Sequence, residues 1–274
     1  MPAFVYRCVD RAGKNSFVGG VLTHIEDDMI IHSYENGLRA DACIDYLRGS
    51  GCAKYTEKII LLPIPTTKDK CTIFNTNVYI KEVLDEIYEG TVVSCYGLPD
   101  VFSHSMEERG ALVVDLACDE DFLLENAELT ALSALGIFLG SAKRSPRDVN
   151  VGVVGYGRIG KKLTSLFLYL GAGVRVFTSR ESTRLELCEW GVASAVSAED
   201  ADLSGLDVLI NTAPAPIFTK ESIPEGLRIM ELASGENFAG IPGVEKYPSV
   251  PARMFPYSAG RAWGRAIERR LRER

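Results

Sequence analysis

With 274 residues, 46% of them apolar, the chain can bury the cores of one large or two ordinary domains. A formal net charge of −7 argues against a role built on neutralising phosphate backbones, so nucleic acid is not an expected partner. The 7 cysteines are odd in number, widely spaced and without any C-x-x-C, which predicts reduced packing thiols rather than a disulfide framework or a zinc site.

Signals are sparse over the first fifty residues. Met1 to Leu22 shows no clear period, Met29-Ile30-Ile31 reads as a strand and Asp41 to Leu47 as a helix. The segment from Met1 to Arg7 lacks a basic stretch followed by an apolar run, and no stretch of ~20 consecutive apolar residues occurs anywhere, so a cytoplasmic protein without a membrane partner is expected. From Lys58 to Pro65 runs a buried-strand pattern that ends in a Thr66-Thr67 turn. Thr91 to Gly97 and Ala111 to Leu116 are further strands, with helical patterns such as Ile80 to Ile87 between them. Short apolar strands alternating with helices predict a parallel sheet covered on both faces.

One long helix is predicted from Asp121 to Ala142, stopping near Gly140 and Pro146 and serving as a hinge element. After it comes the most informative stretch: a short apolar strand, Val149 to Val154, runs into Gly155-Tyr156-Gly157-Arg158-Ile159-Gly160 and then into a helical pattern. Gly155 permits a tight turn, Gly157 lets the backbone approach a pyrophosphate, and Gly160 lets the helix pack on the strand, so that helix N-terminal amides face the phosphates. Thr164 to Leu170 continue the helix, Gly171-Ala172-Gly173 stops it, and Val174 to Phe177 complete a βαβ unit.

The tip of that second strand bears on which dinucleotide is bound. An NAD site places an acid there for the ribose 2′-hydroxyl, whereas Thr178-Ser179-Arg180, with Arg184 one helical turn on, offers hydroxyls and guanidinium forks suited to a 2′-phosphate. NADP is the expected cofactor and NAD the alternative; the plainer reading is that Arg180 and Arg184 only cap a solvated loop. Leu206 to Pro214 and Leu227 to Ser234 are two more strands, each ending in a polar turn, and Ser258 to Arg274 is a final helix. The predicted fold is α/β, with two Rossmann-like domains of parallel sheet joined by a long helix and a cleft between them. Residues 1–120 form an N-terminal flavodoxin- or Rossmann-like substrate domain, 121–143 the linking helix, 144–257 the NAD(P)-binding domain and 258–274 the C-terminal helix.

Several motifs recur in order: Pro63 to Thr67, Asn126 to Ser133, Gly155 to Gly160, Asn211-Thr212-Ala213-Pro214, Glu231-Leu232-Ala233-Ser234, and Pro251 to Gly260. In this order they resemble the dipicolinate synthase family, in its dehydrogenase-like component, over roughly residues 58 to 274. The resemblance implies a two-domain fold like that of hydroxyacid dehydrogenases, oxidation of a dihydrodipicolinate-type ring with NADP, and a flavoprotein-like second subunit. Departures exist: Leu129, Leu132 and Ser133 stand where the family has Pro, Glu and Gly, and its G-G-D-x-R turn is not found before residue 58.

In open α/β sheets ligands sit beyond the carboxyl ends of the strands, which selects Thr66 and Thr67 in the first half and Asn211, Thr212 and Ser234 in the second. Thr66-Thr67 is equally readable as a helix N-cap. The cofactor set is Gly155, Gly157, Arg158, Ile159, Gly160, Thr178, Ser179, Arg180, Arg184, Asn211, Thr212, Ala213 and Pro214. For a dicarboxylate, Lys68, Lys70, Arg253 and Arg261 are available cations. Arg253 and the helix start at Ser258 join Thr66 and Thr67 as substrate-binding candidates, while no catalytic residue is assigned and no metal is expected. A D-2-hydroxyacid dehydrogenase is the enzymatic alternative, but no histidine follows His104 and Ala233-Ser234-Gly235-Glu236 lacks the arginine such an enzyme places there. A non-catalytic NADP(H)-sensing subunit is the alternative of another class, and a homo-oligomer such as a dimer is expected.

Overall fold

A computed structural model describes residues 16–18, 21–26, 29–196, 202–214, 218–234, 237–238 and 240–274. It divides into two compact units, Met1–Glu125 with Pro256–Arg274, and Asn126–Phe255.

The first unit carries β1 (Ser16–Val18), β2 (Val21–Glu26), β3 (Met29–Ser33), α1 (Leu38–Gly49), β4 (Lys58–Leu61), α2 (Ile80–Val83), β5 (Val92–Cys95), α3 (Asp100–Glu108), β6 (Leu112–Asp115) and the start of α4 (Glu120–Ser141). Its sheet runs in the order β1-β2-β3-β4-β5-β6. From β3 to β6 the strands are parallel, with Ile31 opposite Ile59 and Val93 opposite Val113. β1 and β2 are antiparallel additions, which the parallel expectation did not include. Only Gly19-Gly20 and Asp27-Asp28 separate these strands in sequence, and two residues can close a hairpin but cannot hold a crossover helix. The strand expected over Lys58 to Pro65 ends at Leu61, ahead of Pro63 and Pro65, which have no N–H to give to a ladder. The helix expected over Ile80 to Ile87 is one α turn followed by a 3₁₀ turn, Leu84–Glu86.

The second unit carries β7 (Asn150–Val154), α5 (Arg158–Tyr169), β8 (Gly173–Phe177), α6 (Glu181–Glu189), β9 (Ala193–Val196), β10 (Val208–Asn211), β11 (Arg228–Glu231), β12 (Val244–Lys246) and α7 (Val250–Met254). Its sheet is parallel throughout, in the order β12-β11-β10-β7-β8-β9. The chain builds outward from β7 to β9 and then returns to add β10, β11 and β12 on the other side, so the strand order reverses between β7 and β10. That reversal is the crevice where doubly wound sheets take their ligands. The parallel run β3 to β6 of the first sheet has no such reversal.

Alternation along the strands sets the cores. In β4, Ile59 and Leu61 pack with α1 residues and Trp263, while Ile60 and Leu62 face Ile73, Ile80, Val83 and Met106. Trp263 lies on α8 (Pro256–Arg272), which returns the chain to the first unit, and its Nε1 donates to Ser94 Oγ at 2.8 Å. Gly260 and Gly264 form the seam with α1: a Cβ at Gly260 would stand 2.3 Å from the Arg39 carbonyl oxygen, and one at Gly264 would stand 2.5 Å from the Tyr46 ring. The Ser258-Ala259-Gly260 motif is therefore in part a helix-packing device. α4 is apolar and long enough by composition to cross a membrane. Yet Phe122 belongs to the first unit's core, and Ala131, Ala134, Leu135 and Phe138 belong to the second's.

A polar cluster is set into the first unit. Glu86 accepts from His32 Nδ1 at 2.6 Å and from the Tyr34 hydroxyl, and Lys58 Nζ lies 3.4 Å from its carboxylate. Burial alone would raise this carboxyl; those hydrogen bonds and the charges of His32 and Lys58 outweigh it and bring it down to about 2.

Candidate functional site

The glycine turn after β7 has the geometry of a phosphate cradle. Gly155 takes φ +86°, a conformation that side chains resist, and its N–H donates to the Phe177 carbonyl at 2.9 Å. A Cβ at Gly160 would lie 2.1 Å from the Gly155 carbonyl oxygen, so only glycine lets α5 approach the turn this closely. Gly157 is different in kind: it caps α5 in extended backbone, φ −83°, and nothing lies within 4 Å of where its Cβ would be. Two glycines are thus demanded by the fold, and the third faces open space at a helix N-terminus. This is the arrangement a dinucleotide pyrophosphate fits. Arg158 opens α5, Ile159 packs on the second unit's core, and Lys161 Nζ sits 5.3 Å from the Tyr156 ring centroid.

At the tip of β8, Arg184 turns inward and donates to the carbonyls of Thr178 and Ser179 at 3.4 and 3.2 Å, which braces the loop. Arg180 N donates to Thr178 Oγ1 at 3.3 Å, while its guanidinium is exposed and makes no ion pair among the described residues. Of the two arginines, Arg180 is the one free to meet a ligand. Ser179 is exposed beside it.

The Asn211 to Pro214 turn follows β10, next to the cradle. Asn211 is buried: its Oδ1 accepts from Ala213 N at 3.1 Å, and its Nδ2 donates to the Ala213 carbonyl at 3.0 Å and to both oxygens of Glu231 at 2.9 and 3.1 Å. Thr212 Oγ1 donates to the Val154 carbonyl at 2.8 Å. Both side chains hold the turn, and Asn211 takes both the N–H and the carbonyl of Ala213, so the contact left for a ligand is the surface of Ala213 and Pro214. Glu231, at the end of β11, was not among the sequence candidates. It also accepts from Ala233 N at 2.9 Å and from Asn237 Nδ2 at 3.3 Å. Burial raises its carboxyl above the usual range, against the pull of those hydrogen bonds and of the Lys246 charge. The sequence signal was present: an acid follows the apolar pair Ile229-Met230 at the strand end and precedes Leu232-Ala233-Ser234. Gly235 and Glu236, part of the argument against a hydroxyacid dehydrogenase, lie outside the described residues.

The substrate candidates are distributed. Thr66 is fully buried; its hydroxyl donates to the Pro63 carbonyl at 3.1 Å and accepts from Tyr96 N at 2.7 Å. Thr67 Oγ1 donates to Asp69 Oδ1 at 3.0 Å and accepts from Lys70 N at 3.0 Å. Neither caps a helix; they pin successive turns between β4 and α2. Arg253 lies on α7 in the second unit and Ser258 in the first turn of α8 in the first unit, both exposed. Lys68 Nζ stacks 4.3 Å from the Phe74 ring centroid. On α4, Ser133 is buried and its hydroxyl donates to the Leu129 carbonyl at 2.6 Å. No group of three or more metal-ligating side chains occurs among the described residues.

A doubly wound parallel sheet with a glycine cradle at its switch point defines the second unit as a Rossmann fold of the dinucleotide-binding form. Among solved structures, the chain shares its fold with a dipicolinate synthase component from Bacillus halodurans, at 24% identity over 78% of this chain and 79% of that one, with a TM-score of 0.63. The corresponding component of the Bacillus subtilis dipicolinate synthase superimposes with a TM-score of 0.69 at 18% identity, covering 89% and 94%. A transhydrogenase from Sinorhizobium meliloti shares the fold at a TM-score of 0.53 and 18% identity, covering 77% and 73%. No protein-family pattern and no curated protein sequence matches the chain.

Proposed function

We propose that the chain is an NADP(H)-dependent oxidoreductase of the dipicolinate synthase type, acting on a dihydrodipicolinate-type cyclic dicarboxylate. The observation that carries this reading is the cradle: closed where the fold needs glycine, open at Gly157, and flanked on the β8 side by Arg180, exposed and without an ion pair among the described residues. A bound nicotinamide supplies the hydride acceptor. The chain's part is to hold it. α5 N-terminal amides take the pyrophosphate, Arg180 and Ser179 take a 2′-phosphate, and the Thr212–Pro214 turn lines the half of the site beyond β10. Arg253 and Ser258 are the proposed partners of substrate carboxylates, and a flavoprotein-like second subunit is the proposed partner chain.

A second reading, a dinucleotide-sensing subunit without turnover, is favoured by one observation: over Leu129 to Ser133, α4 offers two leucines, an alanine and two hydroxyls, those of Thr130 and Ser133, each already bonded to its own helix. Binding of NADPH and NADH to the purified chain, followed by absorbance of reduced cofactor with NADP⁺ and a dihydrodipicolinate precursor, separates the two. Turnover, alone or with the second subunit, supports the oxidoreductase. Tight binding with no turnover across related cyclic imino acids supports the sensor, and absence of binding refutes both.

A further inference from the structure

Glu231 is 3% exposed, yet it carries a carboxyl group at the end of a strand whose other residues are apolar or, at Arg228, paired elsewhere. A buried carboxylate is tolerated only when donors converge on it. Here three do: Asn211 Nδ2 reaches both oxygens, Ala233 N reaches Oε1, and Asn237 Nδ2 reaches Oε2.

The consequence lies one residue away. Because Asn211 presents one amide hydrogen to the two oxygens of Glu231, its Oδ1 is turned to the Ala213 N–H at 3.1 Å, and its other amide hydrogen meets the Ala213 carbonyl at 3.0 Å. That fixes the turn containing Thr212. Thr212 Oγ1 in turn bonds the Val154 carbonyl at 2.8 Å and stands 2.9 and 3.2 Å from where Cβ atoms at Gly155 and Gly160 would be, directly against the glycine cradle. The main chain reinforces the path, since Leu232 N donates to the Asn211 carbonyl at 3.0 Å.

We propose that Glu231 is a positioning residue of the dinucleotide site: its carboxylate, acting through Asn211, holds the Thr212–Ala213 turn against the glycine cradle. The proposal rests on the dinucleotide reading above. What the network requires is an acceptor at both oxygens. A glutamine of the same shape presents an NH₂ group to one of the converging donors, and a buried donor left without an acceptor has no water to turn to.

The test uses the full chain, the variants Glu231→Gln, Asn211→Asp and the exchanged pair Asn211→Asp/Glu231→Gln, with NADPH titration and amide hydrogen exchange as readouts. Glu231→Gln is expected to weaken NADPH binding by about tenfold or more and to speed exchange at Ala213 and Ala233 while β7 and β8 stay protected. The exchanged pair restores a donor facing an acceptor across the two side chains, though it gives up the bond from residue 211 to the Ala213 carbonyl, and is expected to bind NADPH more tightly than Asn211→Asp alone, where two carboxylates face each other. A purely structural carboxylate would instead let Glu231→Gln lower the melting temperature with affinity unchanged, and that result overturns the proposal. If Glu231→Gln does not fold, the exchanged pair must bind more tightly than Asn211→Asp alone, and equal or weaker binding overturns it. Should the unmutated chain bind no dinucleotide, the functional reading falls and this role with it. Equal binding by the unmutated chain and Glu231→Gln removes this role alone.

Discussion

Replacing Gly157 with valine separates the ligand's need for a glycine from the fold's. The backbone at Gly157, φ −83° and ψ −163°, is open to any L-residue, and no atom lies within 4 Å of the added Cβ. The only cost to the free protein is a poorer N-cap, about 1 kcal/mol. Gly160→Ala is the control: its Cβ would sit 2.1 Å from a backbone oxygen that cannot step aside, an overpacking of about 1–3 kcal/mol. At roughly 3 °C per kcal/mol for a unit of this size, thermal unfolding should barely register the first change and clearly register the second. NADPH titration should show the opposite for ligand. Gly157→Val fills the space the pyrophosphate needs and should lower affinity by at least about a hundredfold, ~2.7 kcal/mol. Binding by Gly157→Val within a few-fold of the unmutated chain would refute the reasoning, because the open space would then serve no phosphate.

Three further expectations concern other parts of the molecule. Arg180→Ala should reduce the preference for NADPH over NADH by about 1.5–3 kcal/mol, the scale of a charge-assisted bond, whereas equal affinities in the unmutated chain would rule out a 2′-phosphate site. Glu86, with a native pKa of about 2 against an ordinary 4.5, contributes stability that is fully present above pH 4.5 and lost as pH falls toward 2. Unfolding free energies from urea titrations between pH 6 and pH 2 should therefore drop for the native chain by up to about 3 kcal/mol more than for Glu86→Gln, and parallel curves would contradict the cluster's role. On α8, Gly260→Ala meets the Arg39 carbonyl and the Cys43 N–H, while Gly264→Ala meets only the Tyr46 side chain. Calorimetry should find the first the more destabilising, by about 1–3 kcal/mol, and the reverse order would show that α1 rather than Tyr46 gives way.

The second unit was legible because its signals are local and redundant. Val149 to Val154, the three glycines and the Gly171 to Gly173 stop each point to the same βαβ unit, and the strand ends at Asn211 and Glu231 fall where apolar runs meet polar turns. The first unit was less so. β1 is 3 residues long, too short to show a period, the 6 residues of β2 neither alternate strictly nor run apolar throughout, and α2 is a single turn whose pattern continues smoothly into a 3₁₀ segment. The return of α8 to the first unit was not readable at all, since it depends on Trp263 reaching Ser94 and on the Gly260–Gly264 seam meeting α1, both far away along the chain.

What strand-end reasoning supplies is an edge of a sheet, not the direction in which a side chain points. Asn211 and Thr212 stand at the carboxyl end of β10 and Thr66 lies in the loop after β4, yet each has its polar atoms bonded to carbonyls, amides or a carboxylate of the protein itself. The reason is general: a turn at the end of a buried strand leaves main-chain groups that must be satisfied, and the nearest short polar side chain is the readiest donor or acceptor for them. Groups left for ligands at such an edge are therefore those whose own turn is satisfied by someone else. Gly157 is open because Gly155 makes the turn, and Arg184 rather than Arg180 braces the loop carbonyls, leaving Arg180 without an ion pair among the described residues. Ala213-Pro214 is presented because Asn211 and Glu231 hold it from below. A search for ligand contacts in this fold should begin with residues supported in that way, and the residues doing the supporting should be sought one position deeper.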